Sequence, residues 1–144
     1  MILLWGIAGD GPLAAVRAEL ERQKLPVFFL DQQAVLETQL EMCVERNVKG
    51  TLQVRSQVVE LEAIRSAYIR PYDSRRMRAI QQAGADSLAR YHALGLEDAL
   101  VCWCELTSAL VVNRPSTMAS NNAKPYQAML IRSLGINVPN TLVT

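Results

Sequence analysis

An α/β fold built on a largely parallel sheet is what this sequence predicts, and three observations carry the prediction. Two short, continuously apolar runs, ILLWGIA at residues 2–8 and VFFL at residues 27–30, have the composition of strands buried on both faces. Between them apolar residues recur at helical spacing, so strand, helix and strand follow one another as in a right-handed crossover unit. The stretch ETQLEMCVE then alternates with period two, the mark of a half-exposed strand in an antiparallel hairpin.

Bulk properties bound what such a fold can be. A chain of 144 residues makes one domain, long enough to bury roughly 70% of its unfolded surface. Half the residues are hydrophobic and 20% are charged, as in an ordinary globular protein. A net charge of +1 gives no global field toward nucleic acid or a membrane surface. The apolar start is too short to span a bilayer and has no basic region before it. Three cysteines, an odd number, suit a reducing, cytoplasmic setting.

Each element has its own signal. Gly9, Asp10 and Gly11 make a turn, and Pro12 opens a helix where its missing N–H is no loss. Leu13, Val16 and Leu20 form that helix's buried stripe. In the hairpin, Leu40, Met42 and Val44 should face the core with Leu52 and Val54, and Asn47 and Gly50 should supply the turn. Val59, Leu61 and Ile64 read as a short helical turn, and residues 67–70 as a strand ending at Pro71. A helix should start at Asp73 or Ser74 and bury Met77, Ile80, Leu88 and Tyr91. Gly95 should end it, with a second helix over about 96–109. The strand LVVN, a polar loop over residues 113–122 and a helix from about 123 to 134 follow. Asn122 would cap that helix, Gly135 would end it, and Tyr126, Met129, Leu130 and Leu134 would pack inward. Residues 139–144 read as a further strand.

Sites in parallel sheets lie at the carboxyl ends of the strands. Here those ends are residues 9–12, Asp31, residues 70–73 and residues 113–122. GDGPLA satisfies a dinucleotide fingerprint, with Asp31 twenty residues beyond Gly11 where a ribose-binding acid would stand. The favoured reading is a plain strand-to-helix turn or a substrate-facing loop, because dinucleotide domains normally continue with further βα units and this chain goes into an amphipathic hairpin instead. Arg70 at a strand end is a natural fork for a carboxylate or phosphate. Arg75, Arg76 and Arg78 after it either meet anions or form a solvated face around Asp73. Cys102, Trp103 and Cys104 have helix-core rather than metal spacing, and a single histidine, His92, without a second ligand cluster speaks against a histidine-based triad or a structural zinc.

The closing segment carries a family pattern. A strand ends in Val112, Asn113 and Pro115; Lys124 lies at the next helix start; and Gly135, Ile136, Val138, Pro139 and Thr141 follow. This resembles the junction at which ATP-grasp ligases pass from their N-terminal domain into the ATP-grasp domain. Bacterial glutathione synthetase and the ribosomal-protein glutamate ligases have similar junctions. GTLQV, VELEAI and AYIRPYD, from Gly50 to Asp73, resemble the subgroup containing the maturases of ribosomal peptides. The resemblance covers roughly residues 48–144.

It implies a Rossmann-like pre-ATP-grasp domain over residues 1–138, with residues 139–144 starting an ATP-grasp domain that this chain lacks. It further implies a cytoplasmic carboxylate–amine ligase in which ATP and magnesium make an acylphosphate for an amine to attack. By itself this chain would then be inactive and hold no cofactor, metal or catalytic residue. Arg70 would meet an anionic group of a small-molecule or peptide carboxylate substrate. Gly9, Asp10 and Gly11 would form a substrate-side loop, and Asn113, Arg114 and Lys124 would line the junction with the nucleotide domain of the same polypeptide. Neither nucleic acid nor membrane is an expected partner. A dinucleotide-binding module using GDGPLA and Asp31, and an interaction module that forms a homodimer through the hairpin edge, are the other readings.

Overall fold

The computed structural model describes residues 1–140, with backbone only for residues 119–122. In chain order the elements are β1 (Ile2–Gly6), α1 (Gly11–Arg22), β2 (Val27–Asp31), β3 (Thr38–Val44), β4 (Val48–Val54), β5 (Gln57–Glu60) and β6 (Ser66–Ile69). Then come α2 (Arg78–Ala83), α3 (Leu88–Leu106), β7 (Leu110–Val112), α4 (Pro115–Asn122) and α5 (Lys124–Ser133). Short 3-10 segments occupy Gln32–Glu37, Leu61–Ala63 and Ser74–Arg76. Among the described residues no helix is long and apolar enough to cross a membrane.

β1 is the central strand because its side chains are apolar on both faces: Leu3, Leu4 and Trp5 are at most 1% exposed. It pairs in parallel with β2 on one side and β6 on the other, and β7 extends the sheet in the order β2-β1-β6-β7. One face of this sheet, through Leu3, Trp5, Phe28, Leu30, Ala67, Ile69 and Val111, joins Leu96, Leu100 and Trp103 of α3 in the main core. α1 packs against β1 and β2 and buries Leu13. A second, antiparallel sheet in the order β3-β4-β5 contributes Leu52, Val54 and Val59 to the same core. The α/β class and the largely parallel sheet with an antiparallel hairpin are as the sequence predicts.

Several elements differ, each for a physical reason. β1 stops at Gly6, two residues before the apolar run ends. The hairpin is a three-stranded sheet, since Val59 lies in β5 rather than in a helical turn. Its pairing runs from Thr38 opposite Val54 to Val44 opposite Val48, and Gly50 lies within β4 opposite Met42. Gly50 is required there: its φ is +146°, and a Cβ would stand 1.9 Å from the Glu41 carbonyl oxygen. The inward set begins with fully buried Thr38, whose hydroxyl donates to Ala34 O at 2.9 Å. It passes through half-buried Leu40 and Met42 and fades at Val44, which is 53% exposed because the hairpin tip leaves the core.

The helical break falls at Gly84, which has φ +94° beyond the end of α2, while α3 runs through Gly95. Glycine inside a helix costs only about 1 kcal/mol. The Ser87 cap and buried Ala93, Leu96, Leu100, Trp103 and Cys104 outweigh that. Leu88 and Tyr91 lie on the solvent side of α3. The expected polar loop is largely α4, opened by Pro115. The N-cap of α5 is Ala123 and not Asn122, and Gly135, at φ +77°, ends the helix by bonding Arg132 O while Ile136 bonds Ile131 O. Tyr126, Met129, Leu130 and Leu134 are exposed rather than inward, because α5 packs mainly against α4. Pro139 and Asn140 are not in a strand, and the rest of the expected strand lies outside the described residues.

Two glycine substitutions separate these roles. Gly50→Ala should lower unfolding stability by about 1–3 kcal/mol or more through strain at the hairpin. Gly95→Ala, with open space around the new Cβ, should raise it by about 0.5–1 kcal/mol. Urea denaturation of both variants measures the two signs.

Candidate functional site at the carboxyl edge of the parallel sheet

The chain leaves β1 and β6 at adjacent points, and close packing forces the two exits together. A Cβ on Gly6 would lie 2.8 Å from a Leu13 methyl and 2.9 Å from the Arg70 carbonyl oxygen. The Arg70 amide donates to Trp5 O at 2.8 Å, continuing the β1–β6 ladder past its end. Asp10 and Arg70, sixty residues apart in sequence, thereby meet.

Asp10 Oδ1 accepts the Leu13 amide at 3.0 Å, capping α1. The same carboxylate takes Arg70 Nε at 2.6 Å and Nη2 at 3.2 Å, in a forked pair. Tyr72 Oη donates to Asp10 Oδ2 at 3.4 Å. The Asp10 side chain is 5% exposed and that of Arg70 37%, so the arginine keeps one edge in solvent while its partner does not. The Arg70 guanidinium first, then the Leu13 amide, holds the Asp10 carboxyl below its ordinary range, against the opposing effect of burial. Arg70 is pushed up by the same partner.

A second set of bonds fastens residues 70–74. Buried Gln32, immediately after β2, accepts the Tyr72 amide at 2.8 Å and donates to Tyr72 O at 2.6 Å and Ser74 Oγ at 3.2 Å. The Ser74 amide donates to Glu97 Oε2 on α3 at 3.0 Å. Tyr72 then stands between two clefts. One, of about 490 Å³, has Ile7, Val35, Met77, Arg76 and Arg78 in its lining. The other, of about 220 Å³, is lined by Ile69, Arg70, Pro71, Tyr72, Asn113 and Met118.

Of the residues singled out in the sequence, Arg70 and Asn113 share the smaller cleft. Asn113 has φ +67°, a conformation asparagine tolerates, and its amide reaches Ile69 O at 3.3 Å. Asp10 stands behind Arg70 as its partner. Gly9 and Gly11 have open space where a Cβ would be, so neither marks a close backbone approach. Asp31 caps the following 3-10 segment through the Gln33 amide at 3.1 Å. Arg114 turns the other way, donating to the carbonyls of Cys104 and Glu105 at the end of α3, a favourable place for a cation, and to that of Ala109 just before β7. Lys124, on exposed α5, bonds Gln127 at 3.2 Å and lines neither cleft. His92 Nε2 lies 3.1 Å from Val35 O and 3.0 Å from Thr38 O; two carbonyls can only accept, so this nitrogen carries the proton and donates. Burial pushes the Cys104 thiol up to about 12, which leaves it unreactive. Among the described residues no group of three histidine, cysteine or acidic side chains is placed to hold a metal.

Sequence reasoning had Tyr72 only as part of the strand end at residues 70–73 and Ser74 only as a helix cap, and it missed Gln32 and Glu97; Gln32 had only its place after a strand end as a signal.

No family model and no curated protein sequence matches the chain. Solved structures do match. The macrocyclase MdnC of Microcystis aeruginosa MRC, bound to the precursor peptide MdnA, superposes at TM-score 0.80 with 15% identity, over 99% of this chain and 46% of that one. A RiPP-associated ATP-grasp ligase of Chryseobacterium gregarium, solved with ADP and a leader and core peptide, gives 0.74 and 17%, over 96% and 42%. The ATP-grasp ligase PsnB, solved with a phosphomimetic variant of its minimal precursor, Mg and ADP, gives 0.67 and 23%, over 99% and 47%. The chain thus has the fold of part of an ATP-grasp ligase and spans about half the length of the structures it matches.

The Asp10 pair sets a pH dependence. Its native value is depressed, so its contribution to stability is present in full above the unfolded value, near 3.9, and is lost as pH falls through the native value. Asp10→Asn should be less stable than wild type at neutral pH, and the gap should close as pH falls from about 5 to about 2. Thermal unfolding of both proteins across that range is the measurement.

Proposed function

We propose that this chain is the substrate-side domain of an ATP-dependent carboxylate–amine ligase that acts on a peptide. The observation carrying the proposal is the superposition over 99% of the chain on a peptide macrocyclase. It is supported by an arginine-bearing cleft at the carboxyl edge of the parallel sheet, where ligands of such sheets bind. Residues 1–138 form this domain, and residues 139–144 lead into an ATP-grasp domain of the same polypeptide.

ATP and magnesium would be held by that other domain and would supply the activation of the substrate carboxylate for attack by an amine. The start of α1 is not free for a nucleotide phosphate, because the Asp10 carboxylate already takes the Leu13 amide there. That occupied amide speaks against a dinucleotide reading of GDGPLA. This chain's own part is to bind and orient. Asp10 holds the Arg70 fork in place, the exposed edge of that guanidinium pairs with an anionic group of the substrate, and Asn113 lines the same cleft. Gln32 and Ser74 keep residues 70–74 from shifting the arginine away.

In the full-length ligase, Arg70→Lys keeps a cation beside Asp10 but removes the fork. It should lower kcat/KM for the peptide by roughly ten- to a hundredfold, the value of about 1.5–3 kcal/mol for a charge-assisted bond. Unchanged steady-state constants would remove Arg70 from the site. Residues 1–144 alone, titrated calorimetrically with ATP and magnesium, should show no micromolar binding; such binding would place the nucleotide in this chain instead.

A further inference from the structure

The arginines after β6 have no role in the Arg70 cleft, yet two of them line the larger one. Its apolar side is Ile7, Val35 and Met77, and its cations are Arg76 and Arg78. The one acid in the lining, Asp73, is engaged: Arg75 Nε bonds its Oδ1 at 2.8 Å, and Arg76 Nε is 3.8 Å from its Oδ2. Arg78 has no ion pair among the described residues. The space, about 490 Å³, falls in the usual range of ligand pockets, about 300–1,000 Å³. Apolar lining beside unspent positive charge is complementary to an amphipathic anion. Tyr72 lines both clefts, so the two are neighbours.

We propose that this cleft binds an acidic peptide segment, with an apolar side chain against Ile7, Val35 and Met77 and carboxylates at Arg76 and Arg78. The segment continues past Tyr72 toward Arg70. The docking deepens the ligase reading by naming the substrate's character, but it requires neither nucleotide nor turnover. Loss of peptide binding would therefore leave the ligase reading standing, and loss of ligation would leave the peptide site standing.

The test is fluorescence anisotropy of the 144-residue chain with a labelled peptide in which one leucine is flanked by glutamates, without nucleotide. Saturable binding is expected. Replacing the glutamates by glutamines should weaken it at least tenfold, and so should Arg76→Glu combined with Arg78→Glu. Both arginines are exposed, so the double variant should unfold at the wild-type temperature. Ala79→Trp, at an exposed lining position, should block the cleft sterically without altering its charge. No saturable binding, equal affinity for the glutamine peptide, or full binding by both variants would overturn the proposal. Saturable ADP binding abolished by Ala79→Trp would likewise overturn it, by assigning the cleft to a nucleotide.

Discussion

The Asp10–Arg70 pair is the interaction on which the carboxyl edge of the sheet depends. One carboxylate caps the first helix, receives the guanidinium fork and takes the Tyr72 hydroxyl, so two stretches of chain, residues 10–13 and 70–72, meet at a single group. Its environment is asymmetric. The acid is buried behind the arginine, and the arginine is open on one side. A cation held in this way has little conformational freedom left to lose when an anion arrives, which is the physical content of preorganisation.

That pair is effective only because the backbone beneath it cannot move. Gly6 allows β1, α1 and the exit of β6 to approach more closely than any side chain would permit. Gln32 then clamps residues 72–74 from the neighbouring strand end, and Glu97 does so from α3. Every fully buried side-chain polar atom among the described residues has a partner, so the network is satisfied and does not strain the core beside it. The core on the other side, around Trp5, Leu100 and Trp103, anchors these strand ends from below.

The last helices contrast with this rigidity. α4 and α5 contact each other and, through α4, α3. The apolar residues of α5 remain largely in solvent. Arg114 and the Glu105–Ser116 bond fasten the start of α4 to the end of α3, so the polar contacts lie at the root of this hairpin of helices.

The sequence by itself determined the α/β class, the buried first strand, the antiparallel alternation from Thr38 to Val44 and the position of Arg70 at a strand end. These are local properties: runs of apolar residues, period two, and a forked cation after a strand. It also carried enough of the junction pattern, from Val112 to Pro139, to point to the ATP-grasp ligases whose fold the chain shares. Tertiary structure alone decided that α3 passes through Gly95, since the buried stripe on both sides of that residue outweighs a small local cost. It decided that Gly50 serves a close strand approach rather than a turn, that Arg114 faces the end of α3, and that Asp10 is Arg70's partner. Each of these depends on which distant groups arrive next to a residue. Sequence spacing is silent about an encounter between groups sixty positions apart.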